Sequence, residues 1–190
     1  GSFQVAEGSL DYIGTLLSSF APKELLVARG YEKGTRERYG DSFYISTLDE
    51  WAFVYDNAVE RLKRQLKVDS LKGFAIDSFP LGVTSAGALL IYLEHTQHTD
   101  LSNICSISRI DEGTFVWMDR FTFRNLEIFA STAGKEGTSL VEVMDKCSSP
   151  MGARMLRTWV SMPVMDLKEL EARYDVVQHF VDNQDDLREI

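Results

Sequence analysis

The chain has 190 residues, 44% of them hydrophobic, which is enough for one large or two small domains with buried cores. Its 29 acidic residues outnumber 20 basic ones, and the net charge of −9 argues against tight non-specific binding of nucleic acid by this chain alone. No apolar run reaches the roughly 20 residues that span a bilayer, and no signal peptide is recognisable, so a cytoplasmic protein is predicted. Cys105 and Cys147 are expected to be buried, reduced thiols.

Three apolar segments near the start predict strands at residues 3–6, 24–28 and 42–46. The first strand is expected to find its neighbour upstream of residue 1, because a lone strand exposes unpaired amides. The helix that follows it ends before Pro22, and its predicted buried face holds Leu10, Ile13, Leu17 and Phe20. The charged, glycine-punctuated residues 29–41 predict a mobile surface loop between the second and third strands.

A second helix is predicted from a capping box at Thr47 and Glu50, with an apolar stripe at Trp51, Tyr55, Val59, Leu62 and Leu66. The glycines and prolines of residues 73–82 indicate a domain boundary at about residue 77. Beyond it, residues 83–97 predict a helix whose small residues, Ser85, Ala86 and Gly87, allow another helix to approach closely. Residues 104–119 predict two short strands joined by a tight turn.

The stretch SSPMGARMLRTWVSMPV, residues 148–164, predicts a short helix that Ser149 caps, Pro150 begins and Pro163 ends. Its apolar face holds Met151, Met155 and Trp159, which suits a packed joint; replacing a buried Trp159 with Ala would cost about 3–5 kcal/mol. A final helix starts at Asp166, and its apolar seam consists of Leu167, Leu170, Tyr174, Val177 and Val181.

Patterns that carry chemistry are scarce. Residues 133–139, AGKEGTS, lack the Ser or Thr that must follow Lys135 in a phosphate-binding loop. The segment with Glu94, His95, His98 and Cys105 fits a solvated helix end better than a metal site. The acidic pairs at residues 49–50 and 111–112 are explained by a helix start and a turn.

Two arginines lie one helical turn apart on a short predicted helix. Arg120 and Arg124 have Asn125 and Glu127 nearby, and buried or interfacial arginines need paired acceptors. They are either structural ion-pair partners or parts of a polar joint whose hydrogen bonds change when neighbouring domains move.

Residues 118–129, MDRFTFRNLEIF, and 138–177, which include SSPMGARMLRTW, closely resemble the core of the MutS family of DNA mismatch-repair proteins. The family patterns are D-x-x-T-x-R-N-L-E and T-P-M-G-x-R-x-L-x-x-W, with Ser149 in place of the Thr. Residues 73–97, GFAIDSFPLGVTSAGALLIYLEHTQ, resemble the passage from the family's connector to its core domain. GSFQVAE at the start resembles the third connector strand.

The resemblance implies a fragment in two parts. Residues 1–77 would be part of an α/β, ribonuclease-H-like connector domain without its first strands, and residues 78–190 the N-terminal part of a mainly α-helical core domain with a small β-hairpin. It implies the middle of a large homodimeric clamp that recognises mismatched duplex DNA and signals through ATP and Mg. A MutL-type protein would meet the connector, and residues 31–41 are an exposed candidate surface for it.

The family's Phe-x-Glu mismatch-reading motif and Walker motifs do not occur in the chain. The fragment is therefore expected to hold no cofactor and to have no catalytic residues, while linking DNA binding to the ATPase elsewhere in the protein. The candidate interdomain and structural residues are Arg120, Arg124, Asn125, Pro150, Met151, Gly152, Arg154 and Trp159. For Arg154 a cross-domain contact is expected.

Two alternatives remain at this point. One is a MutS-like paralogue that acts in recombination rather than in repair. The other is a metal-dependent, ribonuclease-H-like nuclease, for which the predicted strands, with Phe3, Val5, Leu26 and Tyr44, offer no carboxylates.

Overall fold

A computed structural model describes residues 2–97, 101–111, 113–116 and 118–183, apart from the side chains of Gln97, Arg120 and Lys135. The chain divides into two compact units, residues 1–111 and 112–190. This division lies well beyond residue 77, because the helix after that point packs against the helix before it. Each unit is described by itself.

The first unit alternates strands and helices. Its strands are β1 (Gln4–Val5), β2 (Glu24–Ala28), β3 (Tyr44–Leu48) and β4 (Ser108–Arg109). Its helices are α1 (Leu10–Phe20), α2 (Glu32–Tyr39), α3 (Tyr55–Leu66) and α4 (Pro80–Gln97). Short 3₁₀ turns at Glu50–Phe53 and Leu71–Phe74 precede α3 and α4 respectively.

The strands form two parallel pairs. In the first, β2 pairs with β3, with Glu24 opposite Tyr44 and Ala28 opposite Leu48. In the second, β1 pairs with β4, with Gln4 opposite Ser108. A partner of β1 therefore lies far downstream in this chain, and the sequence did not predict this pairing.

The hairpin predicted for residues 104–119 is wrong within the part of this segment that the structure describes. Only Ser108–Arg109 forms a strand, and it pairs with β1, while Phe115 makes an isolated antiparallel bridge with Val164. Alternating hydrophobicity identified residues that pair but could not identify their partners, which are distant in sequence.

Residues 29–41 are not a loop throughout, since Glu32–Tyr39 form α2. The Lys33 and Glu37 side chains make an i,i+4 ion pair with 3.8 Å between nitrogen and oxygen, and Arg36 pairs with Asp41 at 2.7 Å. Local pairs of this kind support an exposed helix that has no apolar stripe. The helix contributes no buried residue, as expected for a solvated segment.

Several predicted helices form with different details. Helix α1 has the expected bounds, but it buries Tyr12 and Leu16 while leaving Leu10 and Phe20 exposed. Thr47 lies in β3, so the capping box predicted at Thr47 and Glu50 does not form, and α3 begins at Tyr55 without a side-chain cap.

The core of the first unit lies between α3 and α4. Leu62, Ile76, Val83 and Leu90 are almost completely buried there. A Cβ added to Gly87 would lie 2.5 Å from Ala58 Cα and would also collide with Ala58 Cβ. The small face predicted on α4 is therefore the surface at which its backbone meets that of α3.

In its described part, the second unit has four α-helices and a small core. They are α5 (Arg120–Asn125), α6 (Leu140–Met144), α7 (Pro150–Ser161) and α8 (Leu167–Asp182). Phe123, Ile128 and Val141 form the buried core, and Met118, Phe129 and Val160 pack against it. Helix α6 begins with a complete capping box between Ser139 and Glu142.

Both cysteines are free and exposed, so the expectation that they are buried is wrong. Among the described residues, no helix is long and apolar enough to cross a membrane.

Candidate functional site

The local structure of α7 follows its sequence closely. The Ser149 hydroxyl accepts a hydrogen bond from the Gly152 amide at 3.1 Å, and Pro150 is the first helical residue, where a missing amide hydrogen costs nothing. The helix ends at Ser161, two residues before Pro163. The predicted cap, start and end of this helix are confirmed.

The burial predicted for its apolar face is not found. The exposed fractions are 69% for Met151, 53% for Met155 and 38% for Trp159. The side that packs inward instead carries Val160, against the small core, and the buried Ser161. Amphipathic spacing identified an apolar face correctly, but the described residues do not cover it.

Trp159 is held from one side by helix α8. The guanidinium carbon of Arg173 lies 4.3 Å from the centroid of the indole ring. The Glu169 carboxylate pairs with the same guanidinium one turn earlier on α8. A cation over an aromatic face is attracted by the ring quadrupole, so this contact links the last turn of α7 to the middle of α8 at the unit's surface.

A second arginine of α7 stacks on the core. The guanidinium carbon of Arg157 lies 4.8 Å from the centroid of the Phe129 ring, which stacks with Phe123 at 5.8 Å between centroids. The positive charge of Arg157 also helps to lower the pKa of Glu142, although the larger causes are hydrogen bonds from the Ser139 amide and hydroxyl. The sequence did not predict this ring contact.

The predicted arginine pair on α5 is only partly described. Asp119 caps this helix by accepting a hydrogen bond from the Thr122 amide at 2.7 Å. Arg124 and Asn125 are exposed, and no ion pair joins Arg124 to a residue that the structure describes. The Arg120 side chain lies outside the described part. A pairing role for Arg124 within this unit therefore has no support.

The residues that follow α5 form a tight turn that the sequence did not predict. Glu127 has a left-handed backbone, with φ of 50°. Its carboxylate accepts hydrogen bonds from the Thr132 amide, at 2.8 Å, and from the Thr132 hydroxyl. These bonds, the hydroxyl first, lower its pKa. The bonds between Glu127 and Thr132 thus close a loop after α5.

Gly152 and Arg154 lie on the first half of α7. A Cβ added to Gly152 would lie 3.4 Å from Cys147 Cβ and 3.5 Å from its Sγ, which are ordinary contacts, so the packing here does not require glycine. The Arg154 side chain is exposed. No ion pair joins it to another residue in the described part of the second unit.

Taken together, the predicted site residues whose side chains are described lie at the surface of the second unit, apart from the half-buried Gly152. No group of three or more metal-binding side chains occurs among the described residues. Exposed methionines, a tryptophan and arginines on two helices form a surface suited to contacts with other protein segments.

Comparison with known proteins gives the family. Residues 1–105 match the profile of MutS domain II, and residues 121–190 match that of MutS domain III. The chain therefore belongs to the MutS family, and it carries the regions termed connector and core above. Neither match is to the family's ATPase domain.

Individual relatives agree with the family match. The chain is 46% identical over 180 residues to the DNA mismatch repair protein MutS of Parabacteroides distasonis, an alignment that covers 95% of this chain and 21% of the relative. It is 40% identical over its whole length to the protein of the same name from Flavobacterium psychrophilum, of which it covers 22%. The chain thus spans about a fifth of the length of these relatives.

Proposed function

We propose that this chain is a structural and signal-transmitting segment of a homodimeric DNA mismatch-repair protein. It would link the parts that bind mismatched duplex DNA to the part that binds ATP and Mg, and its first unit would meet a MutL-type protein. The segment itself would contribute no catalytic group. In this proposal residues 1–77 act as connector and residues 78–190 as core, and the former would belong to a ribonuclease-H-like fold.

The observation that carries the proposal is the uncovered apolar face of α7 and α8. Met151, Met155 and Trp159 on α7 are exposed, as are Leu167 and Tyr174 on α8. A large apolar surface of this kind indicates contact with other protein segments. Because the chain spans only about a fifth of its relatives, a longer polypeptide of this family would have ample sequence to cover that face.

The arginines have distinct parts in this proposal. Arg157 and Arg173 hold the surface in place through their ring contacts. Arg120, Arg124, Asn125 and Arg154 are the polar groups that would meet neighbouring domains. Pro150, the first helical residue, and Gly152, whose amide the Ser149 hydroxyl caps, would set the start of α7.

The alternatives have less support. The names of the relatives refer to mismatch repair, which favours repair over a recombination paralogue. A nuclease would need clustered carboxylates for metal ions; the described residues contain no such cluster, and the matched profile for residues 1–105 is that of MutS domain II.

A chimera tests the proposal. The matching 180 residues of the Parabacteroides distasonis protein are replaced by this chain, and the chimera is expressed in a bacterial strain that lacks its own MutS. Spontaneous mutation frequency is then measured beside the intact relative and an empty vector. We expect the chimera to restore a frequency close to that of the intact relative.

A chimera that is soluble and hydrolyses ATP but leaves the mutation frequency at the empty-vector level would contradict the proposal. ATP hydrolysis is the control because the family's nucleotide domain lies outside the exchanged segment. Normal ATP hydrolysis would therefore show that the chimera is folded, so that a loss of repair could be assigned to failed signal transmission through the exchanged segment.

A further inference from the structure

Strand β4 is the last strand of the first unit, which ends at Asp111. Its ladder with β1 is only two residues long. The Ser108 amide donates to the Phe3 carbonyl at 3.0 Å. The Ile110 amide donates to the Val5 carbonyl at 2.8 Å. The polypeptide path from the first unit to the second runs through this strand, so the contacts that hold β4 determine how firmly that path is attached to the first unit.

The side chain of Arg109, in β4, contacts three other groups. Its Nε lies 2.7 Å from one carboxylate oxygen of Asp111 and 2.9 Å from the other. Its Nη1 donates a hydrogen bond to the Ala75 carbonyl at 3.1 Å. Its guanidinium carbon lies 5.3 Å from the centroid of the Phe79 ring. We call Arg109, Asp111, Ala75 and Phe79 the Arg109 cluster; it ties β4 to residues 75–79, which lead into α4.

Residues 75–79 are themselves held by the core of the first unit. Ile76 is completely buried in the cluster between α3 and α4. The Phe79 carbonyl accepts a hydrogen bond from the Val83 amide at 2.8 Å, so this segment is continuous with the first turn of α4. A movement of β4 away from β1 therefore has to break the Arg109 contacts, because their other side is fixed to the core.

The contacts of Arg109 are ones that can break and form again. A planar guanidinium can donate to a carboxylate and to a carbonyl at once, and an aromatic ring attracts its charge. The side chains of Arg109 and Asp111 are 34% and 42% exposed, so water partly screens the ion pair. Several moderate contacts of this kind favour one position of the strand without fixing it permanently.

Apolar contacts keep β4 close to the unit when the Arg109 cluster opens. Ile107 and Ile110, on either side of the strand, are buried, and Ile107 belongs to the cluster between α3 and α4. Proteins open locally at a lower free energy than they unfold as a whole. Loss of the Arg109 contacts should therefore increase local opening of β4 while the first unit stays folded.

We propose that Arg109 is a positioning residue that latches β4 to the start of α4, and that this latch sets how firmly a movement of the first unit is passed along the chain to the second. The inference rests on the function proposed above, because it assigns the point at which a signal leaves the first unit. With the latch closed, β4 moves together with α4. With the latch open, β4 moves on its own and transmission weakens.

The test uses the chimera with Arg109→Gln, which removes the charge, or Arg109→Lys, which keeps it. The matched control is Arg29→Gln, because Arg29 Nε also makes an ion pair just after a strand, at 3.0 Å from Asp49 Oδ1, but takes no part in the Arg109 cluster. Hydrogen exchange followed by mass spectrometry compares peptides that cover residues 104–111 with peptides that cover residues 83–91 of α4.

We expect Arg109→Gln to make the amides of residues 104–111 exchange roughly tenfold faster, since hydrogen bonds to charged groups are among the stronger ones. Exchange of residues 83–91 should not change. Arg109→Lys should show a smaller increase, because a lysine keeps the charge beside Asp111 but lacks the forked, planar donors. Arg29→Gln should change neither set of peptides.

A second measurement follows transmission itself. Release of the chimera from a mismatched duplex is timed after ATP is added. Arg109→Gln should make release at least about threefold slower, with unchanged affinity for the duplex in the absence of ATP, as expected when coupling between two sites weakens. Arg109→Lys should restore much of the rate, and Arg29→Gln should leave it unchanged.

Unchanged exchange of residues 104–111 in Arg109→Gln would overturn the inference. Faster exchange of residues 83–91 as well would also overturn it, because Arg109 would then support the whole unit rather than one strand. Local opening of β4 with release at the unaltered rate would overturn the role in transmission. Failure of the proposed function is seen separately, in an unaltered chimera that leaves the mutation frequency at the empty-vector level.

Discussion

Arg173 lies over the indole ring of Trp159, with 4.3 Å between its guanidinium carbon and the ring centroid, and so joins α8 to α7. Glu169 holds the same guanidinium from the preceding turn of α8. The contact turns a partly exposed tryptophan into an ordered part of the surface. Because Trp159 is still 38% exposed, its contribution to the free energy of unfolding should be smaller than its size alone suggests.

Replacing Trp159 with Ala should lower the free energy of unfolding by about 1–2 kcal/mol, from the lost cation–π contact and partial burial, rather than by the 3–5 kcal/mol expected of a buried tryptophan. Urea unfolding of the two proteins measures the difference. Trp159→Phe is the control, because it keeps a ring for Arg173 and should lose less. A loss above about 4 kcal/mol for the alanine variant would mean that Trp159 is buried.

Gly87 tests the contact between α3 and α4. Substitution with Ala should lower the free energy of unfolding by about 2 kcal/mol or more, because the new Cβ would collide with Ala58 and the helices would have to separate. The matched control is Gly34→Ala on α2, where a Cβ meets nothing within 4 Å. That change should raise stability by about 0.5–1 kcal/mol through helix propensity. Equal effects at the two positions would contradict the close packing at Gly87.

The capping box of α6 should make stability depend on pH. Hydrogen bonds from Ser139, helped by the charge of Arg157, lower the pKa of Glu142 below its ordinary value of 4.5. A carboxyl group with a lowered pKa in the folded state stabilises the fold above its unfolded pKa, and the contribution is lost as pH falls through the folded value. Glu142→Gln keeps the length of the side chain but removes its charge.

Urea unfolding of Glu142→Gln and the unaltered chain should therefore differ at about pH 7, with the variant less stable, and the difference should shrink below about pH 4. Glu171→Gln on α8 is the control, since Glu171 is exposed and takes part in no capping box. A difference that stays constant across this range would show that the charge of Glu142 does not contribute.

Glu7 supplies a cap to α4 from outside the helix. Its carboxylate accepts hydrogen bonds from the amides of Leu81, at 2.8 Å, and Gly82, at 3.0 Å. Glu7→Ala should lower the free energy of unfolding by about 1 kcal/mol, the usual value of an N-terminal cap, and Glu7→Gln by less because an amide oxygen still accepts. Hydrogen exchange should show faster exchange of the Leu81 and Gly82 amides in the alanine variant and no change at Val83, whose amide bonds the Phe79 carbonyl.

The sequence correctly predicted those helix starts that depend on hydrogen bonds between residues close together in the chain. Ser149 and Asp166 cap their helices as predicted, because a side chain three residues before an amide is positioned by the helix itself. The small residues of α4 also indicated its close contact, since only Gly87 fits against Ala58. The family patterns at residues 118–129 and 138–177 led to the identification that the profiles confirmed.

The missed features depend on partners distant in sequence. Strand β4 pairs with β1 across the whole first unit, which no local alternation can reveal. Helix α2 has no apolar stripe, so its charged, glycine-containing sequence resembled a loop. For Trp159, the helical spacing correctly predicted an apolar face on α7. The spacing does not predict which residues cover that face, or whether they belong to this chain. The Arg157 and Arg173 ring contacts likewise join residues with no recognisable spacing.

If the second unit transmits a signal between neighbouring domains, as proposed, then Arg154→Ala in the chimera should weaken that signal. Release of the chimera from a fluorescent mismatched duplex is followed by stopped flow after ATP is added. We predict unchanged affinity for the duplex without ATP, unchanged ATP hydrolysis without DNA, and release at least about fivefold slower, as expected when coupling between two sites weakens. Release at the rate of the unaltered chimera would contradict a cross-domain role for Arg154 and, with it, the proposed path of transmission through α7.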